Sequence, residues 1–367
     1  MTKQDEIQNG IIKKIVKSKF KGIVIASMRS GKTRCAIKAM IESGCKDTSK
    51  VLVLYPNIDI KKSWVDECEK LKFNNKIKYS TYKSCHKFVE EKFDYIIMDE
   101  CHLIAPTENE LDNVALICNN NKKVILMTGT LNPDTKLNIV NATGLDVVCN
   151  YPIEQAIKDG IVADYKIYVH RFDLERIKKT KQSAGKKTWM STDKKESDRL
   201  TSKVVSAQYS KNWEGLKFAA LSRMRFINTC QTLVDNVNKW QDANKDKRYL
   251  LMCADSNVSK KFNIPFFNSK SKDDKNLHNF IEGKIDKLAL VRKSTTGLTY
   301  PNLDTVVITN IDSNSENLLQ KLSRSLLLDC ENKEANIHVF ISTELYQNKW
   351  FEKATADVPE SKINFVN

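Results

Sequence analysis

Short, unbroken apolar runs punctuate the first half of the chain at Gly22–Ala26, Val51–Tyr55, Tyr95–Met98 and Val124–Met127. Four or five apolar residues in a row, without alternation, suit a strand buried on both faces, as in a parallel sheet covered by helices. Between the runs the period changes. Ile60, Trp64, Cys68 and Leu71 recur three or four residues apart, and Lys32 to Ser43 reads as a helix that opens just after the first run. In the second half Tyr249–Cys253 reads as a strand that ends on Ala254. Ahead of it, Leu221, Met224, Ile227, Cys230, Leu233, Val234, Val237 and Trp240 form a stripe that predicts one long helix packed on a second sheet. Trp64 and Trp240 lie on these stripes and are expected to anchor cores.

Two stretches interrupt the pattern. Tyr151 to Tyr165, with Pro152 and Gly160, marks a change of character between the halves. From Arg176 to Arg199 the chain is rich in Lys, Ser and Thr with little apolar content, which predicts a solvated loop or insert. The alternative for this stretch is a basic finger on nucleic acid, with Trp189 stacking on a base. No internal repeat is visible, and Val358 to Asn367 is expected to fray.

The first apolar run leads into Ala26-Ser-Met-Arg-Ser-Gly31-Lys32-Thr33. A strand, a tight loop and a helix N-terminus in that order form a cradle whose backbone N–H groups converge on an anion. Ser27, Met28, Arg29, Ser30 and Gly31 would line it, Lys32 would reach the outer phosphates, and the Thr33 hydroxyl would ligate Mg²⁺. The third run ends on Asp99 and Glu100, at the end of the strand where a parallel sheet presents its reactive groups. A carboxylate at Asp99 can hold the cation that bridges the terminal phosphates of ATP. Glu100 can polarise the attacking water.

Charge and composition sharpen this picture. With 60 Lys and Arg against 45 Asp and Glu, the net charge of +15 favours a polyanionic partner. A chain of 367 residues can bury two cores of ordinary size. No apolar run approaches the ~20 residues needed to span a bilayer, and the first residues lack the apolar core of a signal peptide, so a cytoplasmic protein without a membrane partner is expected. The 10 Cys are scattered without metal-ligand spacing, and reduced thiols are expected.

Asp99-Glu100-Cys101-His102, downstream of such a loop, resembles the signature of the superfamily 2 helicases and translocases of DECH/DEAH type. The resemblance continues in motif order over about residues 8 to 350. Thr128-Gly129-Thr130 is similar to the motif that couples nucleotide state to nucleic-acid grip. Pro56 and Asn57, and Thr81 after Ser80, resemble strand-end motifs that hold one strand's phosphates. Gln8 resembles the glutamine that reads adenine, with Gln4 as a competing choice. In the second half Ala254 and the stretch Ala289 to Leu298, with Thr295 and Gly297, resemble motifs that face nucleic acid and nucleotide. Gln320-Lys-Leu-Ser323-Arg324 is similar to the last motif, which supplies arginine to the γ-phosphate. In compactness the chain also resembles helicases of phage and virus genomes.

The resemblance implies two RecA-like lobes, each a mainly parallel sheet flanked by helices. Lobe 1 is expected at residues 1–164, an interlobe segment with the basic insert at 165–214 and lobe 2 at 215–367. It implies ATP and Mg²⁺ as cofactors, single-stranded or partly duplex DNA or RNA as partner, and a monomer with or without a protein that loads it. The motif departs from the family pattern at Leu327, where a second arginine is usual, and at Thr296 and Thr299, where acidic or amide side chains are usual. Loss of a finger arginine costs on the order of 10³ in rate. An ATP-gated clamp or annealing factor with little turnover therefore stands beside the motor. So does the motor subunit of a restriction or defence complex. Arg29, where a small residue is more usual, reads as a solvated loop residue, the alternative being a substitute for the missing guanidinium.

Overall fold

In a computed structural model the chain is described apart from residues 1, 28, 105–107, 269–270, 272, 292–299, 301–302, 312–333, 357 and 367. It divides into two compact units, Met1–Val162 and Ala163–Asn367. The first unit holds a six-stranded sheet of β1 (Lys21–Ala26), β2 (Val51–Tyr55), β3 (Ile77–Thr81), β4 (Tyr95–Asp99), β5 (Val124–Thr128) and β6 (Val147–Tyr151). Its order is β3-β2-β4-β5-β1-β6, with every pair parallel. The four apolar runs of the sequence are β1, β2, β4 and β5, and all five residues of β2, β4 and β5 are buried.

Helix α1 (Lys3–Lys17) precedes β1, helices α2 (Lys32–Glu42), α3 (Asp59–Lys70), α4 (Glu108–Asn120) and α5 (Pro133–Thr143) connect strands, and the short α6 (Ile153–Lys158) closes the unit. On one face Leu52, Leu54, Ile96, Met98 and Leu126 pack with Tyr82, Val114 and Ile117. β1 and β6 slip register between Ile23 and Val24, where Gly22 has φ +146°. A Cβ at Gly22 would stand 2.4 Å from the Val148 side chain and 2.9 Å from the Asp146 carbonyl, so the close pairing of these strands requires glycine.

The second unit holds a parallel sheet of seven strands among the described residues, in the order β11-β12-β10-β13-β14-β7-β15. These are β7 (Asp164–Phe172), β10 (Tyr249–Cys253), β11 (Phe266–Phe267), β12 (Lys287–Val291), β13 (Thr305–Ile308), β14 (Glu334–Ser342) and β15 (Ile363–Val366). The separate strands β8 (Thr180–Ala184) and β9 (Lys187–Ser191) form an antiparallel hairpin. Helices α7 (Asp193–Tyr209), α8 (Trp213–Ile227), α9 (Gln231–Ala243), α10 (Ser256–Ser259), α11 (Lys275–Ile281) and α12 (Leu345–Ala354) complete the unit. Leu233, Val234, Val237 and Trp240 on α9 pack against Tyr249, Leu251, Val307 and Phe340 of the sheet.

Both units are thus parallel α/β layers of the RecA-like kind, but four expectations need correction. The segment after Ala163 is no connector, because β7 lies inside the second sheet and pairs with β14 over nine residues. Tyr165, Ile167 and Val169, at alternate positions, supply one buried face, and Phe172 packs on the other. Most of residues 176–199 are not a loop: from Thr180 on they form the β8–β9 hairpin and the start of α7. Trp189 is half-buried, with the Arg199 guanidinium 4.9 Å from its ring centre, so that face is already taken. The long stripe is two helices, since α8 ends at Ile227 and α9 starts after the cap residue Cys230. The last residues do not simply fray, because β15 pairs with β7. Among the described residues the nine Cys are free thiols.

On the second sheet His170 Nε2 and His338 Nδ1 lie 2.8 Å apart, stacked with Tyr168 and Phe340 and met by Trp240. Burial pushes His170 down to about 4 and His338 down to about 3, the latter with help from the His170 and Lys247 charges. In the unfolded chain both imidazoles bind protons near 6.5. Between that value and the folded ones the unfolded state holds more protons, so stability is present above pH 6.5 and is lost as pH falls toward 4. The urea midpoint is expected to drop between pH 7 and pH 5. In His170→Gln/His338→Gln that drop should be smaller, and an equal drop in both proteins would refute the assignment.

Candidate nucleotide site

The site grows from the C-terminal edge of the first sheet, where the ends of β1, β4 and β5 lie side by side. Ser27 leaves β1 with its N–H bonded to the Tyr151 carbonyl at 2.8 Å. The loop then turns through left-handed conformations at Arg29, φ +66°, and Gly31, φ +78°. Such turns point successive amides inward, as an anion-binding nest requires. Ser30 Oγ donates to the Ser27 carbonyl at 2.8 Å and fixes the turn. Lys32 and Thr33 occupy the first turn of α2, whose leading N–H groups have no partner within the helix. Lys32 Nζ rests 3.3 Å from the Ala26 carbonyl.

Helix α1 clamps this loop. Thr2 and Asp5 form a capping box, with Thr2 Oγ1 accepting from the Asp5 amide and Asp5 Oδ2 from the Thr2 amide. One turn apart, Gln4 Nε2 donates to the Arg29 carbonyl at 3.1 Å and Gln8 Nε2 to the Ser30 carbonyl at 3.2 Å. The two glutamines that compete in the sequence therefore both hold the loop, and Gln8 is the buried one. A Cβ at Gly31 would lie 2.3 Å from Gln8 Nε2, so this glycine serves the clamp as well as the turn.

Asp99 ends β4 and is buried, with each carboxylate oxygen engaged. Trp64 Nε1, on α3, donates to Oδ2 at 2.8 Å, and the Glu100 amide donates to Oδ1 at 3.0 Å. The Tyr82 hydroxyl donates to the Asp99 carbonyl at 2.6 Å. Burial, then the Glu100 charge, pushes the Asp99 carboxyl above its ordinary value, while the Trp64 N–H, the Lys32 charge and the Glu100 amide pull it back. Glu100 has φ +51°, an unfavourable conformation for a residue with a Cβ. That turn leaves its carboxylate half-exposed, with Oε2 3.4 Å from His102 Nδ1.

His102 links this edge to the end of β5. Its Nδ1 lies 2.7 Å from Thr128 Oγ1, whose hydroxyl donates to the Thr130 carbonyl at 2.6 Å. The hydroxyl proton being so used, Thr128 accepts from His102, which fixes the Nδ1–H tautomer. Burial, with Lys32's charge, pushes His102 down to about 4, so it is neutral at physiological pH.

The donor set fits ATP with a hard divalent cation. Ser27 Oγ is buried and has no partner among the described residues, Thr33 offers a hydroxyl, and each Asp99 oxygen keeps a second lone pair. Pro56 and Asn57 follow β2, Thr81 ends β3, and Thr128 and Thr130 stand at the end of β5, so the expected nucleic-acid residues of this unit share one sheet edge. Ala254 follows β10 in the second unit. Met28, Thr295, Gly297, Gln320 and Arg324 lie outside the described residues. Sequence reading missed the role of Trp64 at Asp99. The signal was its place on the buried stripe of the helix after β2, which is the neighbour of β4.

Residues 1–87 match the family described as "Type III restriction enzyme, res subunit". Among curated proteins no sequence match is found. Of solved structures, a variant of S. cerevisiae Dbp5 bound to RNA and ADP BeF3 is similar with TM-score 0.60 at 9% identity, over 98% of this chain and 89% of that one. Dbp5 itself, bound to the same ligands, gives TM-score 0.56 at 10% identity over 94% and 85%. A DEAD box protein from the hyperthermophile Methanococcus jannaschii gives 0.50 at 14% identity over 98% and 92%. The likeness to these structures shows a common fold, and the family match covers the first 87 residues.

Proposed function

We propose that this chain is a nucleic-acid-dependent ATPase of superfamily 2, a helicase or translocase that couples ATP hydrolysis to movement along, or opening of, single-stranded or partly duplex nucleic acid. One observation carries the reading: the phosphate loop, the Asp99–Glu100 pair and the Thr128 strand end share one sheet edge, with His102 bonded across it at 2.7 Å. In this reading the loop amides and Lys32 bind the β- and γ-phosphates, and Gln8 reads adenine. Thr33 and Asp99 would hold Mg²⁺, which would neutralise charge on the phosphates. Glu100 orients a water and accepts its proton as that oxygen bonds to the γ-phosphorus and the bond to the ADP oxygen breaks. Trp64 acts at one remove by holding Asp99. Arg324 supplies the guanidinium, with Gln320 and Gly297 beside the nucleotide.

The buried His102–Thr128 bond suits the DECH/DEAH type, because it ties the residue after the acid pair to the strand end assigned to nucleic acid. Pro56, Asn57, Thr81, Thr130, Ala254 and Thr295 complete that assignment. The nucleotide and RNA bound to Dbp5 in those structures support both ligands. A second reading, the motor subunit of a restriction-type complex, is favoured by the family match of residues 1–87. It requires a partner that carries the nuclease, and co-purification of such a partner would separate the two.

ATP hydrolysis should rise when single-stranded DNA or RNA is added. Lys32→Ala and Glu100→Gln should each lower the stimulated kcat by on the order of 10² to 10³. Stimulation that survives Glu100→Gln would sink the assignment of the water-orienting group. Trp64→Phe removes one donor to a buried carboxylate, a loss of about 1.5–3 kcal/mol. Roughly tenfold more Mg²⁺ should then be needed for half-maximal activity. A changed kcat with an unaltered Mg²⁺ requirement would show that Trp64 only fills space.

A further inference from the structure

Helices α7 and α8 of the second unit have a fixed root and a bare end. At the root, Asp193 is almost fully buried and accepts from the Thr232 amide at 2.8 Å, the Thr232 hydroxyl at 2.7 Å and the Thr180 hydroxyl at 3.0 Å. One turn on, Ser197 Oγ donates to Glu344 Oε2 at 3.1 Å, and Lys194 Nζ meets Oε1 at 3.0 Å. On the returning helix the Arg223 guanidinium lies 4.1 Å from the centre of the Tyr346 ring. Past Leu200 on the way out, and before Ile227 on the way back, Val204 alone is buried. With 17 residues in α7, a rise of 1.5 Å per residue carries the turn at Ser210–Asn212 about 25 Å from Asp193.

That end carries large apolar side chains in water. Tyr209 is 85% exposed, Trp213 65% and Phe218 66%, and Leu221 lies beside them along the helix. Clustered exposure of this kind marks an interaction surface. Trp213, Lys217, Leu221 and Arg225 follow at intervals of four and share one face of α8. From Thr201 to Arg225 the chain has five cations and one acid, Glu214. Flat rings interleaved with amines match a polymer that offers bases and phosphates. A second copy or an apolar protein would use the rings but not the excess of cations. We infer that the α7–α8 tip is a stacking platform for single-stranded nucleic acid, with bases on Trp213, Phe218 and Tyr209 and phosphates on Lys211 and Lys217. This rests on the nucleic-acid reading above and adds a contact separate from the strand-end residues.

The test is anisotropy of labelled oligothymidylate and oligouridylate, about 20 nucleotides long, with the full chain over a range of salt. Trp213→Ala/Phe218→Ala should weaken binding by roughly 5- to 150-fold per base unstacked, with the salt dependence unchanged. Lys211→Ala/Lys217→Ala should instead flatten the slope of log affinity against log salt by about 1 to 2. A cross-link from a photoreactive oligonucleotide to the peptide carrying Trp213 in the unaltered protein would support the contact independently of any variant. If the unaltered chain binds and both variants bind like it, the platform is wrong while the nucleic-acid reading stands. If the unaltered chain binds neither polymer, both fail. Conversion of a dimer to a monomer by Trp213→Ala/Phe218→Ala, with binding intact, would make the tip an interface between copies and overturn the proposal.

Discussion

A carboxylate sealed inside a protein is tolerable only when its oxygens find donors, and Asp99 is the point on which the first unit turns. Its two oxygens are met by an indole N–H from α3 and by the amide of the next residue, and its carbonyl by the Tyr82 hydroxyl. Removal of any of these leaves charge or lone pairs in an apolar place. The helix after β2 and the turn after β3 are thereby tied to the end of β4. The sheet edge becomes a fixed platform, and the loop after β1 beside it is held by α1 through two glutamine amides.

The same edge carries strain as well as order. Glu100 keeps a left-handed backbone, and Arg29 does so within the loop. Neither conformation is favoured for a residue with a side chain, and both occur where groups must be aimed rather than packed. Buried, neutral His102 converts the position of one strand end into that of its neighbour through a single bond to Thr128. A cationic imidazole would keep this donor, add one at Nε2 and place a charge in a buried site.

Much of this was legible in the sequence, for physical reasons. A strand buried on both faces has to be apolar throughout, so β1, β2, β4 and β5 announce themselves, and the residues that end them announce the site. β7 was harder, because it mixes charged residues such as Asp164 and Lys166 with its apolar ones and follows a stretch that also holds turn residues. The α8–α9 pair was read as one helix because Ile227 and Cys230 keep the apolar rhythm across the break. The β8–β9 hairpin was hidden by its composition, since a small hairpin with little core needs few apolar residues. The bond from Trp64 to Asp99 joins residues 35 apart in the chain. No local pattern encodes such a bond: the stripe shows that Trp64 is inside, but not which carboxylate its N–H will meet.

The position of β7 also bears on how the second unit is made. It is the first strand of that unit, yet its neighbours β14 and β15 lie near the other end of the described chain, with Asp164 paired to Glu334 and Ile167 to Ile363. During synthesis both edges of β7 wait for almost the whole unit to emerge, whereas the first unit can already close upon itself. Long-range parallel pairing of this kind is slow and leaves an unpaired apolar edge in the meantime. Asp164, Lys166 and Arg171, all exposed in the folded unit, put charge along that waiting strand, as protected sheet edges do.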